Sequence, residues 1–215
     1  MVSVARVTSP VTGLAIILAG CQSSEVTVTA KPAPTTMSSY AQKLDGKFLL
    51  FIDATKLQKT FRPQSANCSA YSIPIDARNA FSETILRTFQ SSVGTIELVA
   101  SPPTKGSVAG AGADGGIIVS AETLEAQFRL VPSVGLFNGV EVETEMTAYV
   151  AVDGRGGRIF GATIDADGTS SGPAGPTCGE GGTRLAESAA DTVRTISGKI
   201  VEAVTNSDRV RSGFQ

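Results

Sequence analysis

Residues 141–152 alternate strictly, with Val142, Thr144, Met146, Ala148, Val150 and Val152 on one side and Glu141, Glu143 and Glu145 on the other. A period of two is that of a strand buried on one face, and no helix places those residues together. The run Asp153-Gly154-Arg155-Gly156-Gly157 that follows is turn material, and residues 158–165 form a second alternating segment. If Val152 pairs with Arg158, then Val150 faces Phe160, Ala148 faces Ala162 and Met146 faces Ile164, apolar on apolar, as register demands. On the other face Tyr149 would then cover Gly161, and Glu145 would oppose Asp165. A hairpin with one apolar face needs a second layer to cover it.

Two segments can supply that layer. Asp76 is a good N-cap, and Phe81, Ile85, Leu86, Phe89 and Val93 follow at helical spacing, so residues 77–92 are expected to be helical, with Gly94 ending the helix. From Thr183, apolar side chains at Leu185, Ala189, Val193, Ile196, Ile200 and Val204 trace one stripe of a long helix. The tail from Ser207 reads as frayed.

The remaining strands are of two kinds. Phe48, Leu49, Leu50, Phe51 and Ile52, bounded by Lys47 and Asp53, form an unbroken apolar run of the sort buried on both faces inside a sheet. Residues 95–100 form a short strand stopped by Pro102 and Pro103, and the Gly- and Ala-rich stretch 104–116 reads as a mobile loop. Residues 117–120 and 124–131 are strands, the second with Leu124, Ala126, Phe128 and Leu130 inward; they are either two strands or one bent strand. The order β, α, several antiparallel β, α favours an α+β fold: one two-layer sandwich, its sheet mainly antiparallel, with two helices packed on one face. Leu49, Phe51, Val99, Tyr149 and Ile159 would fall on the opposite face, met by a partner, by the N-terminal segment or by the 101–116 loop.

At the other end of the chain, Arg6 is the sole charge before Glu25, and an apolar run over residues 11–19 is interrupted only by Thr12 and Gly13. Such a run is too short for a permanent membrane span, which needs about twenty apolar residues, and it has the form of a signal-peptide core. It ends in Leu18-Ala19-Gly20-Cys21, which resembles the lipobox of bacterial lipoproteins. The resemblance implies that residues 1–20 are removed and that Cys21 is lipidated and becomes the first mature residue. More than one acyl chain on such a cysteine suffices for stable anchoring. In the sorting rule of such lipoproteins an aspartate after the cysteine retains them in the inner membrane; Gln22 stands there, which implies the periplasmic face of the outer membrane. Residues 21–45 are rich in Ser, Thr, Pro and Ala and read as a flexible tether, spanning about 25 Å on average, with residues 46–215 as a single periplasmic domain.

Besides Cys21 the chain has Cys68 and Cys178, both in irregular stretches ahead of a predicted helix. In an oxidising periplasm these are expected to form a disulfide, which in the chain-entropy account would stabilise the domain by about 4–5 kcal/mol. A redox-active pair has no Cys-x-x-Cys motif to support it.

Catalytic chemistry finds little purchase. There is no histidine, which removes the commonest general base at neutral pH and the commonest metal ligand. No lysine lies three residues after a serine, so the Ser-x-x-Lys arrangement is missing. Gly110, Gly112 and Gly115 match the dinucleotide fingerprint in spacing, yet prolines precede them and a strand follows, so no helix N-terminus would hold a pyrophosphate. Asp165-Ala166-Asp167-Gly168 begins like a calcium loop, but Ser170 and Pro176 occupy the positions that need glycine and glutamate. Glu141, Glu143 and Glu145 read as a solvated face. A net charge of −2 argues against nucleic acid as a partner. The expectation is a non-enzymatic lipoprotein without cofactor or metal, acting with an envelope protein partner as an interaction or assembly module. The alternative is a binder of a small apolar or glycan ligand, lidded by the 101–116 loop.

Overall fold

A computed structural model describes residues 28–29, 43–63, 72–132, 139–173 and 180–214. In chain order the elements are β1 (Val28–Thr29), β2 (Leu44–Asp53), a 3₁₀ turn at Thr55–Leu57, β3 (Gln58–Phe61), β4 (Ile73–Asp76) and α1 (Arg78–Ser92). There follow β5 (Val93–Leu98), α2 (Lys105–Gly110), β6 (Gly115–Val131), β7 (Gly139–Gly154), β8 (Gly157–Pro173), α3 (Glu180–Thr205) and α4 (Asp208–Gly213).

The main sheet runs in the order β5-β2-β6-β7-β8. Strand β2 is parallel to both its neighbours, whereas β6, β7 and β8 are antiparallel, so the sheet is mixed rather than mainly antiparallel. The connections explain the difference. A parallel pair needs a crossover, and helix α1 lies on the path from β2 to β5. Because β5 and β6 flank β2 and run the same way, the chain between them must cross back over β2, and α2 lies on that crossing. Strands β1, β4 and β3 form a small second sheet, in the order β1-β4-β3, separate from the main one.

Helices α1 and α3 share one continuous core with the sheet. It joins Phe48 and Leu50 of β2, Ile117 and Val119 of β6, and Val150 and Val152 of β7 to Phe81, Ile85 and Phe89 of α1 and to the whole expected stripe of α3 from Leu185 to Val204. Asp76 is not the N-cap expected of it, since Ala77 holds that position without a side-chain cap; from one residue earlier its carboxylate accepts from the Arg78 backbone N–H (3.0 Å) and holds the Arg78 guanidinium (2.6 and 2.9 Å). Gly94 does not end the helix, which runs into β5 without a loop. A Cβ at Gly94 would stand 3.0 Å from the carbonyl oxygen of Gly46, so this glycine lets β5 approach the irregular start of β2.

The stretch 104–116, expected to be a mobile loop, holds a helix capped at both ends. Thr104 and Ser107 form a reciprocal capping box at the start of α2. At the other end Gly112, at φ +61°, lets the Ala113 N–H bond to Val108 O and its own N–H bond to Ala109 O, which is a Schellman closure. Helix α2 then presses Val108 and Ala113 onto Leu49, beside Val99, on the face of the sheet opposite α1 and α3. The fold is therefore covered on both faces around β2.

Strand β6 is one strand with a bulge at Glu122, which moves the inward set from Ile117, Val119 and Ala121 to Leu124 and Ala126. In the β7–β8 hairpin a second irregularity, after Val152, shifts the register by two residues from that expected: Val152 faces Phe160, Val150 faces Ala162 and Ala148 faces Ile164. From Phe160 onward a shift of two keeps each side chain on its expected face, whereas Ile159 and Arg158, before the irregularity, exchange the faces expected of them. Below this hairpin the backbones of α3 and β8 nearly touch. A Cβ on Gly168 would lie 2.7 Å from the backbone at Ser188 and Thr192. A buried hydroxyl cluster seals the contact: Thr144 Oγ1 lies 2.9 Å from Ser188 Oγ and 2.5 Å from Thr192 Oγ1, and Ser188 donates to the Gly168 carbonyl (2.7 Å).

Gly168→Ala is expected to lower stability by about 1–3 kcal/mol by forcing α3 off the sheet, whereas Gly156→Ala, where nothing lies within 4 Å, leaves it unchanged; urea denaturation of the two variants measures the difference. Hydrogen bonds and charge from Arg78 hold the Asp76 carboxyl below its ordinary value. Its contribution is therefore complete above the ordinary carboxylate range and is lost as pH falls through the depressed folded value. Asp76→Asn is expected to lower the denaturation midpoint at neutral pH and to flatten the acid limb of a stability–pH profile.

Candidate functional site

Cys21, Cys68 and Cys178 all lie outside the described residues, as does most of the expected tether. Val28–Thr29 of that tether pairs in parallel with Ile75 and Asp76, which attaches it to the domain at this point. Among the described residues no helix is long and apolar enough to cross a membrane.

The second face of the sheet divides in two. Around β2 it is closed, since Leu49 and Val99 lie against α2, and Phe51 is half-buried. Across β6, β7 and β8 it is open and acidic. Glu125, Glu145 and Asp167 stand directly opposite one another on three successive strands and are all exposed. The observed register thus pairs Glu145 with Asp167, and Asp165 instead faces Thr147, whose hydroxyl donates to its carboxylate (2.8 Å). Lys59 compensates Glu125 (2.6 Å) and Arg129 compensates Glu143 (3.2 Å). Glu145 has no counter-charge within bridging distance among the described residues, and no group of three carboxylates there is arranged to hold a cation. As expected, Glu141, Glu143 and Glu145 share this face.

The tip of the β7–β8 hairpin is the most organised polar region. The register shift leaves Ile159 as the extra residue, turned towards the core together with Phe160, and puts Arg158 on the open face. There the Arg158 guanidinium donates to both oxygens of Asp153 (2.5 and 3.2 Å) and to the Tyr149 hydroxyl (2.9 Å). The Asp153 carboxylate, with a smaller contribution from Tyr149, raises the guanidinium further above its ordinary pKa, so it stays charged at any working pH. Tyr149 pairs with Thr163 rather than with Gly161, yet its hydroxyl still lies over Gly161, within 2.9 Å of where a Cβ would be.

The chain end completes this region. The tail, expected to fray, forms α4, with the Ser207 side chain as its cap and Val210 fully buried. Phe214 stacks edge-on against Phe48, ring centres 4.9 Å apart, in a notch left by Gly115 and Gly154. Two hollows remain beside it. One of about 570 Å³ is lined by Arg158, Ile159, Phe160 and Gly161 of β8 and by Ser207, Asp208 and Arg209. The other, of about 400 Å³, lies between Asp114, the hairpin turn and Phe214. Sequence reasoning missed Arg158 and Arg209, because neither stands in a motif and both depend on where the chain end returns. The glycines of the dinucleotide-like spacing have structural posts: Gly110 ends α2, Gly112 follows it and Gly115 opens β6 under Phe214.

Glu145 sits between two carboxylates, and like charges directly opposite on a sheet are destabilising. Glu145→Gln is expected to stabilise the protein by about 0.2–1 kcal/mol, read as a raised denaturation midpoint that converges on the parent value in high salt.

No family model and no curated protein matches this chain. Among solved structures, protein XCC0632 from Xanthomonas campestris, of the family DUF330, aligns over 82% of this chain and 92% of its own at 8% identity, with a TM-score of 0.50. A neuraminyllactose-binding hemagglutinin homolog from Helicobacter pylori aligns over 88% and 96% at 9% identity and a TM-score of 0.48. A minor lipoprotein from Acinetobacter baumannii aligns over 72% and 90% at 9% identity and a TM-score of 0.38. At such identities the likeness to the Xanthomonas protein is one of fold.

Proposed function

We propose that this chain is a lipid-anchored protein on the periplasmic face of a bacterial outer membrane, where it acts as a non-enzymatic interaction or assembly module with an envelope protein as partner. The observation that carries the reading is Leu18-Ala19-Gly20-Cys21 at the end of an apolar run too short to span a bilayer. Its non-enzymatic character rests on a sequence without histidine and without a Ser-x-x-Lys pair. The build of the domain agrees with an interaction role. Its core is closed by α1 and α3 on one side and by α2 on part of the other, while among the described residues no helix lies on the polar face of β6–β8 and no strand pairs with the outer edge of β8. The small-ligand reading has the 101–116 segment as a lid over a pocket between helix and sheet; that segment packs on Leu49 through Val108 and Ala113.

The test is the intact mass of the protein extracted from membranes, with and without reductant and alkylation. The expected mass lacks residues 1–20 and carries acyl chains on Cys21, with Cys68 and Cys178 alkylated only after reduction. An unacylated chain with three alkylatable cysteines would overturn the anchor and the compartment together.

A further inference from the structure

We propose that the free edge of β8 at residues 159–161, with the cleft it forms against α4, takes up an extended peptide segment bearing a carboxylate, the segment adding to the sheet as a strand and the carboxylate meeting Arg209 and Arg158. The proposal deepens the interaction role above and rests on it.

The first argument is the edge itself. Strand β8 is the last of its sheet and is 17 residues long, about three times the usual strand. Such an edge offers a row of unpaired N–H and C=O groups, and folded proteins blunt it with charge, proline or side-chain cover. In β8 charge and proline stand from Asp165 onward, as Asp165 and Asp167, the Lys199 ammonium donating to the Asp165 carbonyl (2.9 Å), and Pro173; at the near end stand Arg158 and the irregularity at Ile159. Residues 159–164, Ile-Phe-Gly-Ala-Thr-Ile, hold neither charge nor proline.

The second argument is the position of the 570 Å³ hollow. Arg158 and Gly161 belong to the open face and Ile159 and Phe160 to the core face, yet all four line it. What four consecutive residues of opposite orientation share is the backbone edge. The cleft therefore runs along the uncharged stretch, with α4 as its far wall.

The third argument is charge. Arg209, on that far wall, is exposed and has no hydrogen-bond or ion-pair partner among the described residues. Arg158 uses three of the five N–H groups of a guanidinium on Asp153 and Tyr149, which leaves two to donate. Against these cations the lining holds one carboxylate, that of Asp208. Two guanidinium groups at the end of a strand-binding edge fit a carboxylate on an added strand, and the half-buried Ile159 and Phe160 offer apolar surface to its alternate side chains.

The test uses the full chain in detergent micelles and fluorescence anisotropy with a labelled hexapeptide of alternating valine and threonine that ends in a free carboxylate. Saturable binding with a Kd below about 1 mM is expected, weakened about tenfold by a C-terminal amide and by Arg209→Ala, and abolished by N-methylation of alternate peptide nitrogens. An amidated peptide carrying glutamate at its last position tells a side-chain carboxylate from a chain terminus as the source, and restored affinity in either form supports the site. A Kd above about 1 mM, retention of full affinity by the plain amide or in Arg209→Ala, or indifference to N-methylation each overturns the proposal. None of these outcomes bears on the acylation of Cys21, which the mass measurement reads separately.

Discussion

Strand β2 has to be covered on both faces, and most of the architecture follows from meeting that need. Phe48, Leu49 and Leu50 are consecutive and all but fully buried, so apolar groups leave the strand in both directions. On one side α1 and α3 supply the cover. On the other the cover comes from the connection that the parallel arm of the sheet makes unavoidable. Once β5 and β6 flank β2 in the same sense, the link between them crosses Leu49, and α2 fills that crossing. Burying a leucine is worth about 1.5–3 kcal/mol, a large return for a helix of six residues. Its two caps, Thr104 with Ser107 at one end and Gly112 at the other, let so short a helix form.

The parts of the fold legible in the sequence are those set by local periodicity. The stripe of α3 and most of the α1 stripe and of the β7–β8 faces follow from spacing alone; the exceptions are Leu86, half-buried, Val93, which opens β5, Ala151, buried on the other face, and Ile159 and Arg158, which exchange faces. Strand direction is not local. Nothing in residues 47–53 tells whether the neighbouring strands run with or against β2, and the sheet proved mixed. Bulges were half legible: at Glu122 the inward set changes from odd to even numbers, a parity break visible in the sequence, whereas the irregularity at Ile159 is masked by the apolar neighbour Phe160. The glycine-rich stretch 104–116 was misread because composition outweighed its Thr-x-x-Ser capping signal.

The candidate site was less legible than the fold, and for a related reason. It is assembled where the chain end returns to the hairpin tip, through Phe214 settling over Gly115 and Gly154 and through Val210 beneath α4. These contacts join residues far apart in sequence, and a terminal segment of polar and charged residues gives no periodic sign of them. Arg158 owes its position to the hairpin irregularity and Arg209 to the docked tail. The acidic row Glu125, Glu145 and Asp167 belongs to the opposite category. Its residues were visible, but the shift of two residues decided which carboxylates meet.

The pairing of Val28–Thr29 with β4 bears on how the domain would hang from a membrane. Were Cys21 the anchor proposed above, the seven residues from Cys21 to Val28 could span at most about 25 Å when fully drawn out. A leash of that length would hold the small β1-β4-β3 sheet close to the headgroups. The body would then pivot about β1 rather than roam, and its reach away from the bilayer would be set by the size of the folded domain instead of by a flexible stalk.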